Sequence, residues 1–185
     1  MALTTEERVR RLEDRAAIQD LAVMYGYVMD ERVVDGIARL FTDDATLRSA
    51  DGVFAATGLD EIVKTYQGRF DVLGPTNHFV HGHVVQFDDG EPDVATGIVS
   101  SHAEVVRNDQ PMWVALRYQD TYRRTPDGWR FADRLMSYMY YVDVREYAEV
   151  LGQELRVRTY DQPAPGDWPQ SLRGESVDWV TGYLD

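Results

Sequence analysis

The hydrophobic period of this chain changes once, near Gly74, from about 3.6 residues to about 2, and that change restricts the fold more than any motif does. Upstream of it, Thr5 with Glu6 and Glu7 behind it predicts a capped helix start whose acidic residues suit the helix dipole. Leu12, Ile18, Leu21, Tyr25 and Val28 carry that helix to Asp30. A second helix is expected over 34–41, stopped by Thr42-Asp43-Asp44, then a short strand over 45–48 and a turn at Asp51-Gly52. A third helix over 58–69 places Leu59, Ile62, Val63 and Tyr66 on one face. Downstream, four long strands are predicted over 78–87, 94–106, 112–123 and 129–142. Their connections are turn-formers: an acidic turn over 88–93, Asn108-Asp109-Gln110-Pro111, and Thr125-Pro126-Asp127-Gly128. Helices first and a meander afterwards is an α+β arrangement, a curved antiparallel sheet with helices packed on one face.

The last stretch departs from both periods. Residues 161–169 hold three prolines and a glycine, yet Trp168, Leu172, Val177, Trp179, Val180, Tyr183 and Leu184 are too apolar for a solvated tail. With 185 residues the chain suits one domain: an α+β domain over 1–142 and an extension over 143–185 expected to dock on its own or a neighbouring subunit. Nineteen Lys and Arg against 32 Asp and Glu, a net charge of −13, argue against nucleic acid and anionic membranes as partners, because the basic residues are scattered. The absence of cysteine excludes disulfides, thiolate metal sites and thiol catalysis. The N-terminus shows no apolar signal region and no apolar run approaches the ~20 residues of a membrane span, so a cytoplasmic protein is expected.

All four histidines, His78, His81, His83 and His102, fall in the first two strands of the meander. Strict alternation puts His81 and His83 on one face and His78 on the other. A His-x-His pair needs further convergent ligands to hold a metal, and no partner motif stands out, so surface or interface histidines are the expectation and no metal is assigned. His78, following Gly74-Pro75-Thr76-Asn77, is placed either at the open end of the curved sheet or in a structural hydrogen bond. Asp30 ends the first helix, where the dipole disfavours a carboxylate; it is a turn residue or it has a local partner. Arg134, between Ala132 and Met136, is either paired in a pocket or reaching for solvent, and Asp133 on the other face is not its partner.

The segments 12–21, Leu40-Phe41-Thr42-Asp43-Asp44-Ala45, Thr76-Asn77-His78 and Asp127-Gly128-Trp129-Arg130-Phe131 resemble the SnoaL-like branch of the nuclear transport factor 2-like superfamily, over roughly residues 8 to 142. Scytalone dehydratase, bile-acid dehydratase and hexachlorocyclohexane dehydrochlorinase are among its members. The resemblance implies a cone-shaped α+β barrel, cystatin-like, with three N-terminal helices on the concave face of a mixed, largely antiparallel sheet around a pocket. It implies a cofactor-independent lyase in which His78 and Asp30 form a general acid/base dyad and Arg134 assists the leaving group. Tyr25, His102 and Tyr138 are the corresponding substrate contacts. The substrate class is a small apolar cyclic or polyketide-like molecule, most simply dehydrated; an isomerase or cyclase in the same pocket, and a non-catalytic binding module, are the alternatives. A homo-oligomer is implied, a trimer ahead of a dimer.

Overall fold

The computed structural model describes residues 3–88 and 90–184. Helix α1 runs Thr5–Asp30 and is capped by Thr4, one residue before the expected cap. The Thr4 hydroxyl accepts from the Glu7 backbone N–H while the Glu7 carboxylate accepts from the Thr4 N–H, a reciprocal box. Thr5 has Arg8 at the corresponding position and forms no such box. Helix α2 spans Val34–Leu40, strand β1 Phe41–Ser49, β2 Ala55–Thr57 and helix α3 Leu59–Phe70. Thr42-Asp43-Asp44, expected to stop α2 ahead of a strand over 45–48, lies within β1 itself, where a break in register lets the exposed Asp43 and Asp44 interrupt the ladder. Four long strands follow: β3 Leu73–Phe87, β4 Val94–Arg107, β5 Gln110–Thr125 and β6 Gly128–Asp143.

The strands form one sheet in the order β2-β1-β6-β5-β4-β3, antiparallel except for the β1–β6 pair. α1 lies across β3 and β6, and α3 across β1, so the helices close one face of the sheet into an α+β cone. Two of the segments that carry the family resemblance meet here. Asp14 of α1 accepts from the Trp129 indole N–H of β6 at 3.1 Å and pairs with Arg124, whose guanidinium stacks 4.5 Å over the same indole. Arg15 donates to the Val85 carbonyl at 2.7 Å and fixes α1 against β3.

Irregularities in the ladders decide which side chains enter the cone. The register shifts between Val80 and Gly82 in β3, between Phe131 and Asp133 in β6, and again at Met139. Each extra residue bends the strand and inverts the alternation beyond it. Thus His78 and His83 both turn inward while His81 turns out, which corrects the strict alternation expected for them. Tyr138 and Tyr141 both face inward for the same reason.

Beyond β6 the chain packs partly on the sheet's outer face and partly along its edge against the main core. Val157 bridges Tyr141 on one side and Ala164 on the other, and Val150 joins Ala115, Tyr140 and Val142 in a second apolar cluster flanked by Trp168. Arg117 is sandwiched, 4.3 Å from the Trp168 ring and 5.1 Å from Trp179. Leu172 and Leu184, expected to dock, stay 80% and 78% exposed, because they sit in short turns with no sheet behind them. Among the described residues no helix is long and apolar enough to cross a membrane.

Candidate active site

Asp30 is the last residue of α1, and the chain beyond it turns sharply through Arg32 at φ 55°. The Arg32 guanidinium reaches across to the Leu73 and Gly74 carbonyls at 2.6 and 2.7 Å, tying the helix end to the start of β3. Gly26, one turn back, makes the approach possible: a Cβ there would lie 3.3 Å from the His78 Cβ. The result is a carboxylate held on three sides. Asp30 accepts from the Thr76 hydroxyl at 2.7 Å, from the His78 backbone N–H at 2.9 Å, and meets His78 Nδ1 at 2.6 Å.

Burial works to raise the Asp30 pKa, but the hydrogen bonds from the His78 ring, Thr76 and the His78 backbone outweigh it and hold the carboxyl below its usual range. An ionised carboxylate only accepts, so Nδ1 carries a proton in its contact with Asp30, and His78 lines the cleft. The two side chains are 16% and 15% exposed, sheltered yet reachable. The local partner that Asp30 needed at a helix C-terminus is therefore the histidine.

The cleft between the helices and the sheet encloses a cavity of about 40 Å³. Tyr25 and Tyr66 form its floor with hydroxyls 2.9 Å apart, and Tyr138, Tyr141, Arg69 and Met29 add to the walls. Burial pushes the Tyr66 and Tyr138 phenols up, so both stay protonated donors at neutral pH. Of the six residues expected at the site, the structure brings together Asp30, His78, Tyr25 and Tyr138.

The other two lie elsewhere. Arg134 does not line the cleft. It is sealed behind Tyr25, with its guanidinium 4.2 Å from that ring, 4.2 Å from Tyr118 and 3.8 Å from Phe131. It pairs bidentately with Asp120 at 2.9 and 2.8 Å, directly opposite on β5. Tyr122 donates to the same carboxylate at 2.8 Å and stands 3.0 Å from His83 Nε2. Placing Arg134 at a leaving group is thus corrected: the register of β5 against β6 supplies a counter-ion that alternation within β6 cannot reveal. His102 is corrected too. It faces outward on β4, opposite Ala115, with its Nδ1 2.9 Å from His81 Nε2.

Tyr66, Arg69 and Tyr141 line the cleft and were missed by the sequence reading. One signal was available for Arg69. It follows Ile62 and Tyr66 at i+7 and i+3, so a cation sits on the apolar face of α3.

A SnoaL-like domain model matches residues 10–135. An uncharacterised protein of Mycobacterium tuberculosis is 32% identical over 132 residues, which span 69% of this chain and 86% of that protein. Two solved structures illustrate the shape. A hexachlorocyclohexane dehydrochlorinase, LinA Type2, superposes with a TM-score of 0.67 at 23% identity, covering 74% of this chain and 93% of its own. A Novosphingobium aromaticivorans protein named as a scytalone dehydratase gives a TM-score of 0.67 at 19% identity, over 89% and 97%. At these identities the likeness is one of fold. The chain belongs to the SnoaL-like family and has the nuclear transport factor 2-like, cystatin-like α+β cone.

Proposed function

We propose that this protein is a cofactor-independent lyase, a dehydratase of a small cyclic or polyketide-like molecule, in which His78 is the general base and Asp30 its orienting partner. One observation carries the reading: the 2.6 Å contact between Asp30 and His78 Nδ1, made by a carboxylate already fixed by Thr76 and the His78 backbone. That arrangement keeps one tautomer, leaves Nε2 as the lone-pair nitrogen, and stabilises the imidazolium when it forms. The names of the dehydratase and dehydrochlorinase that share the fold favour the same class of reaction.

In the proposed step, His78 Nε2 takes a proton from a carbon acidified by a neighbouring carbonyl. The C–H electron pair forms the new double bond, and the C–O bond to a hydroxyl breaks. That hydroxyl leaves as water with a proton from Tyr25, whose own hydroxyl is paired with Tyr66. Charge developing on the carbonyl oxygen is met by protonated tyrosines of the cleft, each well-placed donor contributing a few kcal/mol, on the order of 3. Arg134 takes no part.

The test is incubation of small cyclic β-hydroxy carbonyl compounds with the protein, read by product mass and by deuterium uptake from solvent. Loss of water that disappears in His78→Ala, with the circular dichroism spectrum retained, supports the reading. Turnover that survives in His78→Ala overturns the base assignment. A product of unchanged mass identifies the isomerase alternative, which needs the same base and returns the proton to another carbon.

A further inference from the structure

A second chamber adjoins the cleft, and Tyr138, Tyr141 and Arg69 form the wall common to both. Its walls include Arg107 from the end of β4, Phe54 before β2, and Thr159 and Tyr160 from the C-terminal extension. Two guanidiniums thus converge on one space, and neither has a carboxylate partner among the described residues. Arg69 Nη1 and Arg107 Nε are buried with no hydrogen bond, although the Tyr138 hydroxyl lies against the Arg69 guanidinium. Arg69 rests over the Phe54 ring, 5.1 Å from its centroid, which gives it packing but no counter-charge. The nearby carboxylate, Asp51, is exposed and is engaged by the Tyr160 hydroxyl at 2.7 Å.

The rest of the interior handles arginine differently. Arg134 has Asp120 and Arg124 has Asp14 and Asp93, each at hydrogen-bond distance. Both residues are half-buried with a sheltered guanidinium nitrogen left unpaired, and two such cations at one place mark a site completed by something else. We propose that the Arg69–Arg107 chamber is a subsite for a carboxylate, and hence that the substrate of the adjoining cleft is an organic acid whose carbon skeleton lies against His78. This rests on the reading of that cleft as the substrate site. A planar carboxylate suits two planar guanidinium forks, and the Tyr138 and Tyr141 hydroxyls supply neutral donors beside them.

The test is calorimetric titration with benzoate, its uncharged isostere benzamide, and inorganic phosphate. Benzoate is expected to bind at least about tenfold more tightly than benzamide, the weight of one charge-assisted hydrogen bond. Arg69→Gln and Arg107→Gln are each expected to remove that preference while leaving benzamide unchanged, and Arg69→Met is expected to raise the melting temperature of the unliganded protein. Equal binding of benzoate and benzamide overturns the proposal, as does an Arg69→Met protein that melts lower and keeps the preference. Phosphate binding that matches or exceeds benzoate and displaces it also overturns it, in favour of a free-phosphate site. His78→Asn separates the two readings: benzoate binding is expected to persist in it whether or not the dyad is the catalytic base.

Discussion

The interior of the cone holds two acid–base pairs, only a tyrosine ring apart, that share chemistry but differ in what surrounds them. Asp120 and Arg134 are 0% and 1% exposed, doubly hydrogen-bonded and boxed by aromatic rings. Asp30 and His78 are 15% and 16% exposed and sit where a helix end meets a strand, with His78 lining a cleft. The first pair uses its charges on each other, and its role is to hold β5 and β6 in register. The second leaves one valence unspent. Burial and charge alone would have ranked Arg134 first as a functional residue; access to a cavity reverses the order.

The largest effect is expected from His78→Ala, about 10²- to 10⁴-fold off turnover with little change in urea midpoint; Asp30→Asn, which permits the wrong tautomer, is expected to approach it. Asp120→Ala is expected to lower stability by about 3–5 kcal/mol by stranding the Arg134 cation, whereas Arg134→Met is expected to lower it much less and to leave substrate turnover in place. An Arg134→Met protein that folds normally but is inactive would dissolve the distinction between the two pairs.

Gly26→Ala is a finer probe, since its Cβ presses on His78: turnover is expected to fall about tenfold while stability moves by less than about 1 kcal/mol. The smallest effect is a pH slope. Burial pushes His83 down to about 4, with Arg134 and Arg15 acting in the same sense and Asp120 against it. In the window between about 4 and the unfolded value near 6.5, the unfolded chain binds the extra proton, so stability falls as pH is lowered through it. Urea midpoints of His83→Gln are expected to be flatter over that range. The Asp30 contribution has its own window: it is present above the ordinary carboxylate value near 4 and is lost as pH drops toward the lower folded value.

The order of helices and strands was legible because it is written in periodicity, and so was the pairing of a helix-end Asp30 with a strand-borne His78, given the family resemblance. What was hidden depended on counting across strands. One extra residue at His81 decides that His83 enters the cone and His81 leaves it, and no local pattern announces the bulge. Asp120 and Arg134 are 14 residues apart, and only the β5–β6 register puts them face to face. Arg69 and Arg107 read as an ordinary basic residue at a helix end and another beside a turn. Their convergence depends on Thr159 and Tyr160 closing the chamber from a segment whose composition suggested only that it should dock somewhere.

That closure divides the molecule's inheritance. The proposed dyad, Arg69 and Arg107 all lie inside residues 10–135, the stretch shared with the family, while Tyr138, Tyr141, Thr159 and Tyr160 come from the stretch beyond it. Both guanidiniums of the proposed acid subsite are therefore encoded with the proposed dyad, and only part of the wall around them comes from the later stretch. Edits to that stretch would reshape the wall, and with it the size of the acid admitted, while leaving the two guanidiniums and the proposed dyad in place.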